Sequence, residues 1–160
     1  MKYESQVKSL LLFFVFFAAI AWTEPPSKPP IGVPTDAKFF RGKWYRVYLE
    51  KVPWNRAQER CKALGGQLVT VPDAETWNFV KGLGGAASVW LGATDEKTEG
   101  VWVWSDGTPV TFTAWLGAGP DNAGGAENYL ATHRGGWNDV KKSGAFDSFQ
   151  VVGFICEWKK

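Results

Sequence analysis

The chain contains two cysteines, Cys61 and Cys156, and their separation of about 95 residues constrains how its 160 residues can fold. If they form a disulfide, a segment early in the folded region must lie beside a segment at its end. The chain holds no competing thiol, so one bridge is the simplest prediction for an oxidising compartment. Two unpaired buried thiols are the alternative. In the chain-entropy description, closing such a loop contributes roughly 4 to 5 kcal/mol.

The first residues indicate an oxidising compartment. Lys2 and Lys8 precede an unbroken apolar run of 12 residues, Leu10 to Ala21. The run is shorter than the roughly 20 residues that a membrane-spanning helix needs, and the small residues at its end fit a signal peptidase site before Trp22. We therefore predict a secretory signal peptide over residues 1–21 and a secreted, extracellular or periplasmic protein. An uncleaved signal that anchors the chain in a membrane is the alternative.

Composition argues against several classes of function. Charged residues make up 21% of the chain, the formal net charge is +2, and no basic run stands out. Electrostatics therefore gives no reason to predict a nucleic-acid partner. His133 is the one histidine, which argues against His-rich zinc sites and against hydrolases built on several histidines. Since no nucleophile partner for His133 is evident, we predict that the protein is not an enzyme.

Proline marks the boundary between the leader and the folded region. Five of the nine prolines lie between Thr23 and Asp36, in a stretch with little to bury. This composition predicts an extended spacer over residues 22–37. The folded domain then covers residues 38–160, which is long enough for one hydrophobic core.

Hydrophobic spacing predicts two helices followed by strands. An apolar stripe at intervals of three and four ends at Gly65-Gly66, and it consists of Trp54, Ala57, Cys61 and Leu64. A second helix is predicted from about Pro72 and Asp73 to Gly84-Gly85. The strand candidates are Lys43 to Leu49, Ser88 to Gly92, Val101 to Trp104, Val110 to Trp115, Tyr129 to Thr132 and Val151 to Trp158. Of these, Val110 to Trp115 is predicted to pair with Val101 to Trp104 as a hairpin.

A glycine-rich segment, Leu116 to Ala126, is longer than an ordinary connecting turn, and loops of this length are usually functional or disordered. The oxygen-bearing side chains in and around it are Asp95, Glu99, Asp121, Asn122, Glu127, Asn128, Asn138 and Asp139. Carboxylates and amides crowded without matching Lys or Arg favour a bound cation, and hard oxygen ligands without His or Cys favour calcium. A solvated acidic loop is the alternative.

Several short motifs resemble the C-type lectin-like domain family in their order and spacing. They are Trp90 to Asp95, Glu99-Gly100, Trp102 to Trp104, Gly119 to Asp121, Glu127, Trp137 to Asp139 and Phe154 to Glu157, and the match covers roughly residues 38–160. The resemblance implies an α+β fold with two helices, small antiparallel sheets and a long loop region that holds calcium and ligand. It also places Cys61 and Cys156 where the family has its main disulfide.

The resemblance further implies a set of site residues. The sugar-contacting calcium and the sugar itself would be bound by Asp121, Glu127, Asn138 and Asp139. An auxiliary calcium would use Asp95, Glu99, Glu127 and Asn128, the last of which is usually Asp in the family. Pro120 is implied to follow a cis peptide bond.

Two departures bear on function. Gly119 stands where the family usually has Glu or Gln, so Gly-Pro-Asp matches neither the mannose-type Glu-Pro-Asn nor the galactose-type Gln-Pro-Asp pattern. Tyr129 stands where one cysteine of an inner disulfide is expected. The resemblance implies a secreted, calcium-dependent carbohydrate-binding module with a glycan or glycoconjugate partner. A module that recognises a protein or another surface without binding sugar is the alternative.

Overall fold

The computed structural model describes residues 24–145 and 150–159, so the predicted signal peptide, residues 1–21, lies outside the described residues. The two helices are α1 (Trp54–Ala63) and α2 (Ala74–Gly84). The strands are β1 (Lys38–Phe40), β2 (Lys43–Tyr48), β3 (Gln67–Leu68), β4 (Val89–Thr94), β5 (Val103–Trp104), β6 (Tyr129–His133), β7 (Gly136–Val140) and β8 (Gly153–Lys159). A short 3-10 turn covers Ala123–Gly125. The α+β class that the sequence predicts is confirmed.

The eight strands form one sheet in the order β1-β2-β8-β4-β6-β7, with β3 paired to β8 and β5 paired to β4. The contact between β4 and β8 is parallel, and the other strand pairs are antiparallel. The small antiparallel sheets that were expected are therefore joined into one mixed sheet. The joining strand is β8, because it lies beside β2, β3 and β4 and so connects the strands β1 and β2 with the strands β4, β6 and β7.

Helix α1 forms where the apolar stripe predicts it. Pro53 precedes the first helical residue with φ of −59°, and Trp54, Ala57 and Cys61 are buried. Proline suits this position because the first N–H groups of a helix have no intrahelical partner. Leu64 departs from the predicted stripe: it lies just past the end of the helix and is 40% exposed. The buried stripe therefore ends one turn earlier than the spacing indicates.

The single disulfide prediction is confirmed. Cys61 of α1 and Cys156 of β8 are bonded, and their Cα atoms lie 5.5 Å apart. Both residues are fully buried. The bridge therefore fastens the first helix to the strand at the centre of the sheet.

Helix α2 begins with a side-chain cap. The carboxylate of Asp73 accepts a hydrogen bond from the N–H of Thr76 at 2.8 Å, which satisfies one of the free donors of the first turn. Trp77 and Val80 are buried, as the predicted face requires. Neither α1 nor α2, the two helices in the described part of the chain, has the length and apolar character needed to cross a bilayer.

The segment from Val110 to Trp115 does not form the predicted regular strand, but its predicted hairpin pairing is present in part, since Val103 makes an isolated antiparallel bridge with Pro109. The segment makes isolated contacts instead: the N–H of Val110 donates to Trp102, and Trp115 forms a single bridge with Trp137. The end of the segment lies beside β7, where the N–H of Trp137 donates to the carbonyl of Ala114 at 2.8 Å. The alternating pattern did not predict the contact with Trp137, because Trp137 belongs to β7, a strand that the sequence did not predict.

The predicted spacer, residues 22–37, packs on the domain at its C-terminal end. Val33 is 7% exposed and Ala37 is 6% exposed, and both belong to the same buried cluster as Trp44 and Trp54. Asp36 adds an ion pair of 2.8 Å with Arg46. The stretch from Val33 to Ala37 therefore contributes to the core rather than extending away from it.

An aromatic cluster surrounds Trp137 of β7, which is fully buried. Four rings meet it edge-on with centroid distances of 5.7 to 5.9 Å: Trp77, Trp104, Phe112 and Trp115. Such edge-to-face pairs add stabilisation beyond the area they bury. Because the next two residues along β7 are candidate ligands, this packing also fixes where they lie.

Candidate metal centre

Three carboxylates from separate parts of the chain meet beside β7. Asp121, Glu127 and Asp139 each offer one oxygen, and these oxygens all lie within 4.8 Å of one another. Asp139 is 1% exposed and Glu127 is 2% exposed, whereas Asp121 is exposed. The cluster thus has a buried floor and one side open to solvent, an arrangement that an ion and a second ligand can both reach.

The two carboxylate oxygens of Asp139 lie in different environments. Its Oδ2 atom accepts hydrogen bonds from the N–H groups of Asp121 at 3.0 Å and Asn122 at 2.6 Å. Its Oδ1 atom is buried and has no hydrogen-bond partner among the described residues. Leaving a buried carboxylate oxygen unpaired is costly. The donor set of carboxylate oxygens fits a hard cation such as calcium.

The charges at this site repel one another. Burial raises the pKa of Glu127, and the charge of Asp139 raises it further. Burial likewise raises the pKa of Asp95, with Asp139 again adding to the effect. Within residues 24–145 and 150–159, no Lys or Arg forms a salt bridge with any of the four carboxylates Asp95, Asp121, Glu127 and Asp139. A bound cation would offset both the energetic cost of burying these carboxylates and the repulsion between their charges.

Asn122 links the cluster to its neighbours, and the set of site residues predicted from the sequence did not include it. Its side-chain oxygen accepts the N–H of Glu127 at 3.0 Å, and its side-chain amide donates to Glu99 at 2.6 Å. The residue has φ of 44°, in the left-handed region that Asn tolerates better than most residues. An Asn within a glycine-rich loop was the available signal.

The two residues before Asp121 shape the entrance to the cluster. The peptide bond between Gly119 and Pro120 is cis. A Cβ atom at Gly119 would lie 3.3 Å from the carbonyl oxygen of Leu116 and 4.0 Å from Oδ1 of Asp139. A longer side chain at position 119 would therefore start next to Oδ1 of Asp139.

Asn138 lies beside the cluster on β7. It is half-buried, and its side-chain amide donates to the backbone carbonyl of Asp139 at 2.7 Å. The donor end of the amide is therefore engaged, which leaves the side-chain oxygen as the atom able to bind a cation.

The residues of the expected auxiliary site lie close by but less compactly. Asp95 accepts the N–H of Gly100 at 2.8 Å through Oδ2, while its Oδ1 and the side-chain oxygen of Asn128 are buried without partners among the described residues. Glu99 is exposed and is joined to the loop through Asn122. In the part of the chain that the structure describes, neither Asp95 nor Glu99 belongs to the 4.8 Å cluster.

Comparison with known proteins gives a consistent picture. The family model described as Lectin C-type domain matches residues 50–157. The hepatic lectin of Gallus gallus is 33% identical over 106 residues, which cover 64% of this chain and 51% of that protein. The chain thus spans about half the length of this relative, and less of several others.

Two solved structures show how much of the fold is shared. The mouse scavenger receptor C-type lectin carbohydrate-recognition domain is 31% identical with a TM-score of 0.71, over 80% of this chain and 97% of that one. A Ca²⁺-dependent type II antifreeze protein, solved in its Ca²⁺-free form, is 30% identical with a TM-score of 0.68, over 79% of this chain and 99% of that one. One architecture therefore serves both carbohydrate recognition and antifreeze proteins.

Proposed function

The chain belongs to the C-type lectin family, and from this premise we propose that it is a calcium-dependent carbohydrate-binding module. The observation that carries the proposal is Oδ1 of Asp139, which is buried with no hydrogen-bond partner in the described part of the chain, where the carboxylates of Asp121 and Glu127 meet. Hard oxygen donors of this kind select calcium over metals that prefer nitrogen or sulfur. The proposed module is secreted, takes a glycan or glycoconjugate as its partner, and has no catalytic activity.

The proposed calcium and sugar ligands are Asp121, Glu127, Asn138 and Asp139. When bound, calcium supplies coordination positions for two neighbouring hydroxyls of a sugar. The carboxylates of the chain accept hydrogen bonds from the same hydroxyls, and the open side at Asp121 admits the ring. Gly119 contributes no side-chain oxygen, so water or the ligand would have to supply that coordination position.

An auxiliary calcium is proposed at Asp95, Glu99, Glu127 and Asn128. Its support is the pair of buried oxygens, one on Asp95 and one on Asn128, that have no partner among the described residues. Because Asn128 is neutral, this site carries less negative charge than one built with Asp. It is therefore expected to bind calcium more weakly than the first site.

The second candidate function is recognition of a protein or another surface without sugar. Gly119 favours it, because the position carries no oxygen to coordinate calcium or to orient a sugar hydroxyl. The likeness to a Ca²⁺-dependent antifreeze protein also supports it, since that relative shares the fold at 30% identity.

A panel of immobilised monosaccharides tests the proposal. Binding is expected in calcium, to be lost in a chelator and to return when calcium is restored. Asp121→Asn, at the open side of the cluster, should weaken this binding, whereas Asp36→Asn, a carboxylate that instead pairs with Arg46, should not. Sugar binding that persists in the chelator contradicts the proposal. A calcium-loaded protein that binds no sugar supports the second candidate.

A further inference from the structure

One lysine ties together two segments that carry candidate calcium ligands. The Nζ atom of Lys142, two residues past the end of β7, lies 2.6 Å from Oε1 of Glu96. Glu96 directly follows Asp95, and Lys142 comes three residues after Asp139. The ion pair therefore connects the turn after β4 with the segment that leaves the metal centre.

The same lysine rests on an aromatic ring. Its Nζ lies 5.1 Å from the centroid of Tyr129, which is 3% exposed at the start of β6. A cation at this distance from a ring centroid is attracted by the ring electrons. The ring of Tyr129 is itself held, because it packs on Trp54 of α1 at a centroid distance of 5.1 Å.

The backbone of Lys142 is also fixed. Its carbonyl accepts the N–H of Trp54 at 3.0 Å. The backbone of Lys142 is thus held by Trp54 of α1, and its Nζ atom contacts both the Tyr129 ring of β6 and Glu96 in the turn after β4. The ion pair lies at an exposed site, where such pairs contribute little to global stability, so we expect the contacts to fix positions rather than to stabilise the whole fold.

We propose that Lys142, Glu96 and Tyr129 form a non-covalent clamp that positions the calcium-binding segments relative to one another. The clamp takes the place of a covalent cross-link at Tyr129, where the family resemblance led us to expect a cysteine. The residues act through the ligands Asp95 and Asp139 and do not touch calcium. Its effect on calcium rests on the proposed function, whereas its effect on the backbone does not.

Calcium titration of matched variants tests the first effect. Lys142→Met keeps the aliphatic stem but removes the charge, and it should weaken calcium affinity about five-fold, less than the loss of a direct partner of a ligand. Lys97→Met is the control, because Lys97 adjoins Glu96 yet has no ion pair among the described residues. Lys142→Arg should restore affinity to within about two-fold of the parent. Equal affinities for Lys142→Met and Lys97→Met overturn the coupling to calcium.

Amide hydrogen exchange in a chelator tests the second effect without relying on calcium. Because the N–H of Trp54 is bonded to the carbonyl of Lys142, it should exchange several-fold faster in Lys142→Met and Glu96→Gln than in Lys97→Met. Exchange at Trp54 that is unchanged in both variants overturns the clamp. A parent protein that binds no calcium contradicts the proposed function, and the exchange data then decide the clamp separately.

Discussion

The backbone N–H of Asn122 donates a 2.6 Å hydrogen bond to Oδ2 of Asp139. This bond joins the long loop to β7 at the candidate metal centre. The side chain of Asn122 continues the connection to Glu127 and Glu99. The loop that carries Asp121 is therefore placed by hydrogen bonds to the same residues that would bind the ion, so we expect loop order to depend on ion binding.

Two substitutions of Asn122 should separate the contribution of its side-chain hydrogen bond from that of its left-handed backbone conformation. Asn122→Ala leaves the N–H of Glu127 without its acceptor and puts a side chain that disfavours the left-handed region at φ of 44°, so a loss of about 2 kcal/mol is expected. Asn122→Gly tolerates the backbone and should lose about 1 kcal/mol less. Urea unfolding in a chelator measures both. Parent-like stability for Asn122→Ala contradicts the account.

Adding an oxygen at position 119 should strengthen the metal centre. Gly119→Glu places a carboxylate beside Oδ1 of Asp139, and calcium affinity should rise by about ten-fold, as charged oxygen ligands tune such sites. The Cβ must accommodate a 3.3 Å approach to the carbonyl oxygen of Leu116. Gly119→Ala is the matched control, since it adds the Cβ without an oxygen. If calorimetric titrations give the same calcium affinity for both variants, the prediction that an oxygen at position 119 binds calcium is contradicted.

Removing the disulfide should cost much of the stability of the domain. The bridge from Cys61 to Cys156 closes a loop with a separation of 95 residues, for which the chain-entropy description gives about 4 kcal/mol. The double variant Cys61→Ala/Cys156→Ala should lose this amount in denaturant titration, and reduction of the parent should lose a similar amount. A loss below about 1 kcal/mol would show that the unfolded chain is already compact.

The cap of α2 gives a pH-dependent contribution. Hydrogen bonds from the backbone and side chain of Thr76, followed by the nearby charge of Arg41, hold the pKa of Asp73 below its usual value. The folded state therefore favours the ionised form, and this stabilisation is present above the usual carboxyl pKa and disappears as the pH falls through the lowered value.

Asp73→Ala should accordingly cost about 1 kcal/mol at neutral pH. The difference from the parent should shrink as the pH drops below about 4. Asp73→Asn keeps a capping oxygen without the charge, so most of the stability should remain while the pH dependence at this site disappears. Thermal unfolding across this pH range measures all three proteins. A cost for Asp73→Ala that does not change with pH contradicts the assignment.

The elements predicted well from the sequence are those with long, regular apolar spacing. The stripe through Trp54 and Cys61 places α1, and the face through Trp77 and Val80 places α2. Strand β7 escaped prediction because its sequence, Gly136–Val140, includes two residues of low strand propensity, Asn138 and Asp139. Its formation depends on partners distant in sequence, β6 on one side and the aromatic cluster below, which local spacing does not reveal.

The site was predictable in kind but not in detail. The excess of oxygen-bearing side chains near the glycine-rich loop predicted a cation, and the structure gathers Asp121, Glu127 and Asp139. Residue types alone did not show that one oxygen of Asp139 accepts hydrogen bonds from the backbone of the loop, while the other has no partner within residues 24–145 and 150–159. The role of Asn122 depends on its left-handed backbone conformation, for which an Asn within a glycine-rich loop was only a general signal.

Isothermal titration with calcium tests the central claim most directly. The parent should bind calcium with a measurable heat. Asp139→Asn retains an oxygen that can accept the two loop N–H bonds but loses the charge, so its affinity should fall by at least about ten-fold. Asp36→Asn, a carboxylate paired with Arg46, should bind like the parent. A parent that gives no binding heat, or an Asp139→Asn variant that binds as tightly as the parent, would contradict the account.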